Sequence, residues 1–167
     1  MKRSRYGYHD ILFLFTPACD PIKLQEYRGV GGWTVPLLRV RAISLGALAA
    51  DWDDFAARCN GSWRSTGAQV RFLRWRHIHK SRFVALVVED VEGSPRRVAQ
   101  CMVETTGGVR MLYDGLLIAP EDEAMRGEAM LAVLRFLGPG TYSYGWTWSI
   151  APKQEALLAR LPGVRIE

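Results

Sequence analysis

From Phe83 to Ile118 the chain alternates β-branched runs with tight turns, and after Pro120 its apolar period changes from two to that of a helix. That order constrains the fold more than any other feature of the sequence. Phe83–Glu89 and Arg97–Glu104 are strand-like runs joined across Val91-Glu-Gly-Ser-Pro95, which predicts a hairpin. A second turn at Thr106-Gly107-Gly108 leads into Val109–Ile118, a long strand with a bulge expected at Gly115. Three antiparallel strands follow from this. Beyond Pro120, Met130, Val133, Leu134 and Leu137 recur at helical spacing, and Gly138-Pro139-Gly140 stops the helix. Thr141–Trp148 reads as a strand from its aromatic and β-branched content, and Pro152 opens a short helix through Leu161 that ends at Pro162-Gly163.

Upstream, Leu37–Arg41 predicts a first strand and Leu48–Arg58 an amphipathic first helix. Ile11–Phe15 is an apolar run too short for a signal peptide or a membrane span, and it reads as a buried strand. With 167 residues, 49% hydrophobic content and no Ser- or Pro-rich linker, the expected fold class is α/β (α+β): a single domain with a mixed, mostly antiparallel sheet flanked by helices. Residues 1–34 are expected to form a strand and loop extension, and residues 35–167 the main domain.

This succession of strand meander, helix, strand and helix, ending in Leu161-Pro-Gly-Val164, resembles the GNAT superfamily of N-acyltransferases. Trp52-Asp-Asp-Phe55, Gly61-Ser62-Trp63 and the Arg97-Val-Ala99 strand are also similar to the GNAT-fold peptidyltransferases that attach amino acids to peptidoglycan precursors. The resemblance implies an acyl-CoA-dependent N-acyltransferase. Acetyl-CoA or another acyl-CoA would be the cosubstrate, and a small-molecule or peptide amine the acceptor. It also implies a site where the strand carrying Leu116, Leu117 and Ile118 splays from its neighbour and hydrogen-bonds the pantetheine arm through its backbone. The family's pyrophosphate signature, an Arg or Gln followed by small residues at a helix N-terminus, is matched here by Arg126-Gly127-Glu128-Ala129, with Met130 and Leu131 where a further small residue is usual. Arg126, Gly127 and Ala129 are thus the implied phosphate ligands.

Glu121, Asp122 and Glu123 complicate that assignment, because acids in a first turn stabilise a helix but repel phosphate. Two arrangements remain open. The helix begins at Glu121 with the acids capping it, or it begins near Arg126 with the acids on a preceding loop. Only the second leaves a phosphate site.

Amide formation needs a base for the attacking amine and an acid for the departing thiolate. Glu104 and Asp114, carboxylates on central strands, are the candidate bases. The family's thiolate-protonating Tyr would fall on Ala159, counting back from Gly163, so Tyr144, or Tyr142 on the same strand face, is the substitute acid.

Three widely spaced cysteines, Cys19, Cys59 and Cys101, fit a reducing, cytoplasmic setting, and Cys101 reads as a buried small hydrophobe. His77-x-His79 places two imidazoles on one face of an expected strand without a third ligand at suitable spacing, so no metal site is expected. The net charge is +5, and Arg71, Arg74, Arg76, Lys80 and Arg82 crowd together with Phe72 and Trp75. Such a segment can bind nucleic acid through phosphates and stacked bases. It can also be a solvated helix or loop whose aromatics anchor it to the core, or, on the acyltransferase reading, a segment before the second strand whose cations attract an acidic acceptor or the coenzyme's phosphates. A non-catalytic GNAT-like protein that binds nucleic acid or a protein partner through Arg71 to Arg82 is therefore the alternative function.

Overall fold

A computed structural model describes residues 8–15, 37–45, 48, 50–59, 61, 66–77, 82–147 and 151–166. Among these residues seven strands form one sheet in the order β2-β3-β4-β5-β6-β1-β7. These are β1 (Tyr8–Phe15), β2 (Leu38–Ile43), β3 (Arg82–Asp90), β4 (Arg96–Thr106), β5 (Val109–Ile118), β6 (Gly140–Thr147) and β7 (Val164–Ile166). The helices are α1 (Ala50–Arg58), α2 (Gly67–His77), α3 (Arg126–Leu137) and α4 (Ala151–Leu158). Every ladder is antiparallel except β5 with β6. The expected mixed, mostly antiparallel sheet is therefore present.

The two turns read from sequence set the central register. The turn at Gly107-Gly108 pairs Thr106 with Val109, which carries Glu104 opposite Met111 and Met102 opposite Tyr113. The ladder then shifts, and the next rung joins Gln100 to Leu117, so Cys101 alone faces the three residues from Asp114 to Leu116. Gly115 sits in this bulge at φ 66°, a left-handed conformation that glycine adopts without steric penalty.

Alternation divides the sheet into two apolar faces. One face buries Leu86, Val88, Cys101, Val103, Leu112, Leu116 and Ile118 against Met130, Val133 and Leu134 of α3 and Leu158 of α4. The other gathers Ala85, Val87, Met102 and Tyr113 with Trp52 of α1 and Leu45. Trp52 is fixed through its backbone as well as its ring. The buried Gln100 donates from Nε2 to the Trp52 carbonyl at 2.9 Å, and its Oε1 accepts from Arg97 at 3.1 Å. At the far end of α1, a Cβ on Gly61 would lie 2.8 Å from the Ala56 carbonyl oxygen and 2.9 Å from Leu117 Cδ1, so only glycine fits where this segment crosses β5.

Some boundaries differ from the sequence reading. The first strand and first helix run Leu38–Ile43 and Ala50–Arg58, and the last helix stops at Leu158, leaving Val164–Ile166 to form an edge strand against β1. The N-terminal strand pairs with β6 over its whole length, from Tyr8 with Thr147 to Phe15 with Gly140. His77 ends a helix, not a strand, and His79 lies outside the described residues.

Candidate functional site

The parallel β5–β6 ladder is short. It joins Val109 to Thr141, Arg110 to Tyr142, Met111 to Ser143 and Leu112 to Tyr144, and ends there. Beyond that rung β5 keeps its ladder with β4, and β6 keeps its ladder with β1. Leu116, Leu117 and Ile118 therefore lie on the part of β5 that has left β6, all three buried. Leu116 and Ile118 point into the α3 face, and Leu117 meets Gly61 on the α1 side.

Glu104 and Tyr113 meet beside the point where the ladder ends. Tyr113 follows the last paired residue of β5, and its phenol donates a short hydrogen bond to Glu104 Oε2. The other carboxylate oxygen accepts from Thr106 Oγ at 3.1 Å. Both side chains lie on the α1 face, with Met111 directly across from Glu104. The sequence contained this pairing. Once the Gly107-Gly108 turn fixes Glu104 opposite Met111, Tyr113 is its diagonal neighbour on the same face. Asp114 occupies the bulge and Tyr144 the last rung, but the side chains of both lie outside the described residues.

Tyr142 is placed elsewhere. Its hydroxyl donates to the Gly138 carbonyl and accepts from Arg110 Nη1 at 2.9 Å, in the paired half of the ladder. Burial pushes its phenol above the ordinary range, with Arg110 pulling it back. These contacts tie down the α3–β6 turn.

The acidic segment takes the second of the two arrangements left open by the sequence. Pro120–Met125 is a 3₁₀ turn carrying Glu121, Asp122 and Glu123, and α3 begins at Arg126. Asp122 is buried and accepts two hydrogen bonds from Arg96, at 2.6 and 2.7 Å. Arg126 is held from both sides. Its Nε and Nη2 each donate to Glu123 at 2.7 Å, and its Nη1 donates to the Leu116 carbonyl at 2.7 Å. Its guanidinium thus joins the acidic turn to the separated half of β5. At Gly127 a Cβ would lie 3.7 Å from Leu157 and 3.8 Å from Leu161, so the first turn of α3 packs against the end of α4. Ala129 is fully buried in the α3 core.

On the α1 side, a cleft of about 490 Å³ is lined by Arg58, Arg96 and Arg97 with Asp51, Asp54 and Glu121 around Phe55. Three cations and three carboxylates cancel there, and Arg97 is already paired with Asp51 at 2.7 Å. Neither described cysteine has the character of a nucleophile. Burial pushes the Cys101 thiol up to about 12 and the Cys59 thiol up to about 11.

In the Arg71 to Arg82 segment, α2 is a helix whose start is capped. Thr66 Oγ accepts from the Gln69 N–H at 3.3 Å, and Asp53 accepts from the Gly67 N–H at 2.7 Å. Phe72 and Trp75 do not anchor it to the core, which removes one of the readings open from the sequence. Phe72 is 47% and Trp75 76% exposed. Arg71 and Arg82 are exposed, the side chains of Arg74 and Arg76 lie outside the described residues, and so does Lys80. Among the described residues no helix is long and apolar enough to cross a membrane.

No protein-family model and no curated protein matches the sequence. Solved structures do match the fold. A tandem GNAT protein from the clavulanic acid biosynthesis pathway, solved without acetyl-CoA, superposes with a TM-score of 0.52 at 13% identity over 98% of this chain. The match covers 53% of that protein, about half its length. Spermidine N-acetyltransferase from Vibrio cholerae, solved with CoA and spermine, matches at 16% identity and a TM-score of 0.46 over 75% of this chain and 79% of its own. Nothing in these matches supports a nucleic-acid partner. The strand order, the helices on both faces and the early end of the β5–β6 ladder give this chain a GNAT-like fold.

Proposed function

We propose that this protein transfers an acyl group from an acyl-CoA thioester to an amine. The observation that carries the reading is the juxtaposition of the β5–β6 divergence with the Glu104–Tyr113 pair. The separated half of β5, Leu116 to Ile118, offers a strand edge to the amides of a pantetheine arm. Backbone N–H groups of the bulge around Gly115 polarise the thioester carbonyl. The amine nitrogen attacks the carbonyl carbon and the carbon–sulfur bond breaks. Glu104 takes the proton released by the nitrogen, with Tyr113 and Thr106 holding its carboxylate. Tyr144, at the last rung of the ladder, returns a proton to the thiolate, and Asp114 in the bulge is the second candidate base.

Arg126 and the first-turn backbone of α3 at Gly127 and Ala129 receive the pyrophosphate. To do so, Arg126 exchanges Glu123 for the phosphate. The test is amine acetylation by Glu104→Gln and Tyr113→Phe against a panel of small amines and peptides. A base contributes roughly 10²- to 10⁴-fold, so Glu104→Gln lowers kcat by about that factor with little change in acetyl-CoA affinity. An unchanged kcat in Glu104→Gln removes Glu104 from the chemistry.

A further inference from the structure

From Phe55 to Val88 the sequence contains no Asp or Glu, while Arg58, Arg64, Arg71, Arg74, Arg76, Lys80 and Arg82 all fall within it. The whole chain has a net charge of +5, so this one segment carries more positive charge than the entire protein. The exposed surface of α2 lies inside that segment. Phe72 and Trp75, one helical turn apart, project together with ring centroids 6.4 Å apart and planes tilted by 38°. Arg71 is exposed beside them.

We infer that this face of α2 docks on an anionic phospholipid surface. Large aromatics on an exposed helix face set among cations favour the boundary between headgroups and acyl chains, where the rings are buried and the cations meet lipid phosphates. The lipid boundary takes up both exposed rings together, whereas a stacked base covers one face of one ring. Two exposed rings on one helix face also suit a deformable interface that needs no preformed pocket, unlike a protein partner. The cations attract the anionic surface over a Debye length, and the rings hold the contact once it forms. This inference does not depend on the acyl-transfer reading, since it uses none of the residues placed there.

The experiment is co-sedimentation of the full chain with vesicles of phosphatidylcholine alone and of phosphatidylcholine with phosphatidylglycerol, at low and high salt. The double variant Phe72→Ser/Trp75→Ser and the single variant Arg71→Gln are run alongside, each checked for wild-type circular dichroism. Binding is expected only to the anionic vesicles and is expected to weaken with salt. It should fall about tenfold or more in the double variant and roughly fivefold in Arg71→Gln. Three results overturn the inference: no binding to anionic vesicles, equal binding to neutral ones, or full binding by the double variant. Binding of single-stranded RNA that the double variant loses, without vesicle binding, would assign the face to nucleic acid instead.

Discussion

Replacing Glu123 with Gln should tighten the binding of acetyl-CoA. In the free protein both Glu123 carboxylate oxygens accept hydrogen bonds from Arg126, each at 2.7 Å, so an incoming pyrophosphate competes with an internal carboxylate for the same guanidinium. Glu123 is 60% exposed, which places the pair in the class of surface ion pairs worth about 0.2–1 kcal/mol. Because each 1.4 kcal/mol is tenfold in affinity, removing the competitor lowers Kd by a factor between about 1.4 and 5. The third Arg126 contact, to the Leu116 carbonyl, keeps the guanidinium in place in the variant. Calorimetric titration with acetyl-CoA measures this directly, and the gain should shrink at high salt. The counterpart Arg126→Glu should abolish binding. A folded Glu123→Gln protein with unchanged or weaker affinity would refute the competition and with it the phosphate role of Arg126.

Other consequences concern the elements that frame the site. Gln100→Ala removes the side-chain hydrogen bond that ties the Trp52 carbonyl of α1 to β4 and should cost about 0.5–1.5 kcal/mol of unfolding free energy, read as a lower denaturation midpoint; no loss would mean that this bond does not help to hold α1. Arg96→Ala leaves the buried Asp122 carboxylate without its bidentate partner and should cost about 2–3 kcal/mol, discounted for the half-exposed Arg96, against under about 1 kcal/mol for Arg39→Ala. Arg41 and Arg39 hold the Glu89 carboxyl below the usual carboxylate range. A depressed carboxyl stabilises the fold above its unfolded pKa and loses that contribution as pH falls through its folded value, so Glu89→Gln should lower stability at neutral pH, leave it nearly unchanged at acid pH, and thereby flatten the acid limb of a stability–pH profile. An identical acid limb in the variant would contradict this.

Much of the central sheet was legible because its determinants are local. Period-two runs, two turns rich in glycine and a switch to helical spacing after Pro120 define β3, β4, β5 and α3 without any knowledge of partners. The bulge was marked by a glycine inside a strand pattern, and its φ of 66° supplies the reason. The place of β1 was not legible, because its partners β6 and β7 come from the opposite end of the chain and no local signal specifies them. The edge strand Val164–Ile166 is three residues long and was too short to read. At the site, Glu104 and Asp114 are readable as carboxylates on central strands, but the hydrogen bond between Tyr113 and Glu104 depends on register. Composition leaves α2 open. By residue type Phe72 and Trp75 suit either a core anchor or a stacking surface, and their helix has little apolar periodicity to turn them inward.

The claim that most needs testing is that an acyl-CoA lies where β5 leaves β6. Hydrogen–deuterium exchange with and without saturating acetyl-CoA addresses it peptide by peptide. The account predicts new amide protection confined to the stretch from Asp114 to Ile118 and to the first turn of α3 at Gly127 to Ala129. Unchanged exchange in both segments, or protection confined to the Arg58 and Arg97 cleft, would contradict it.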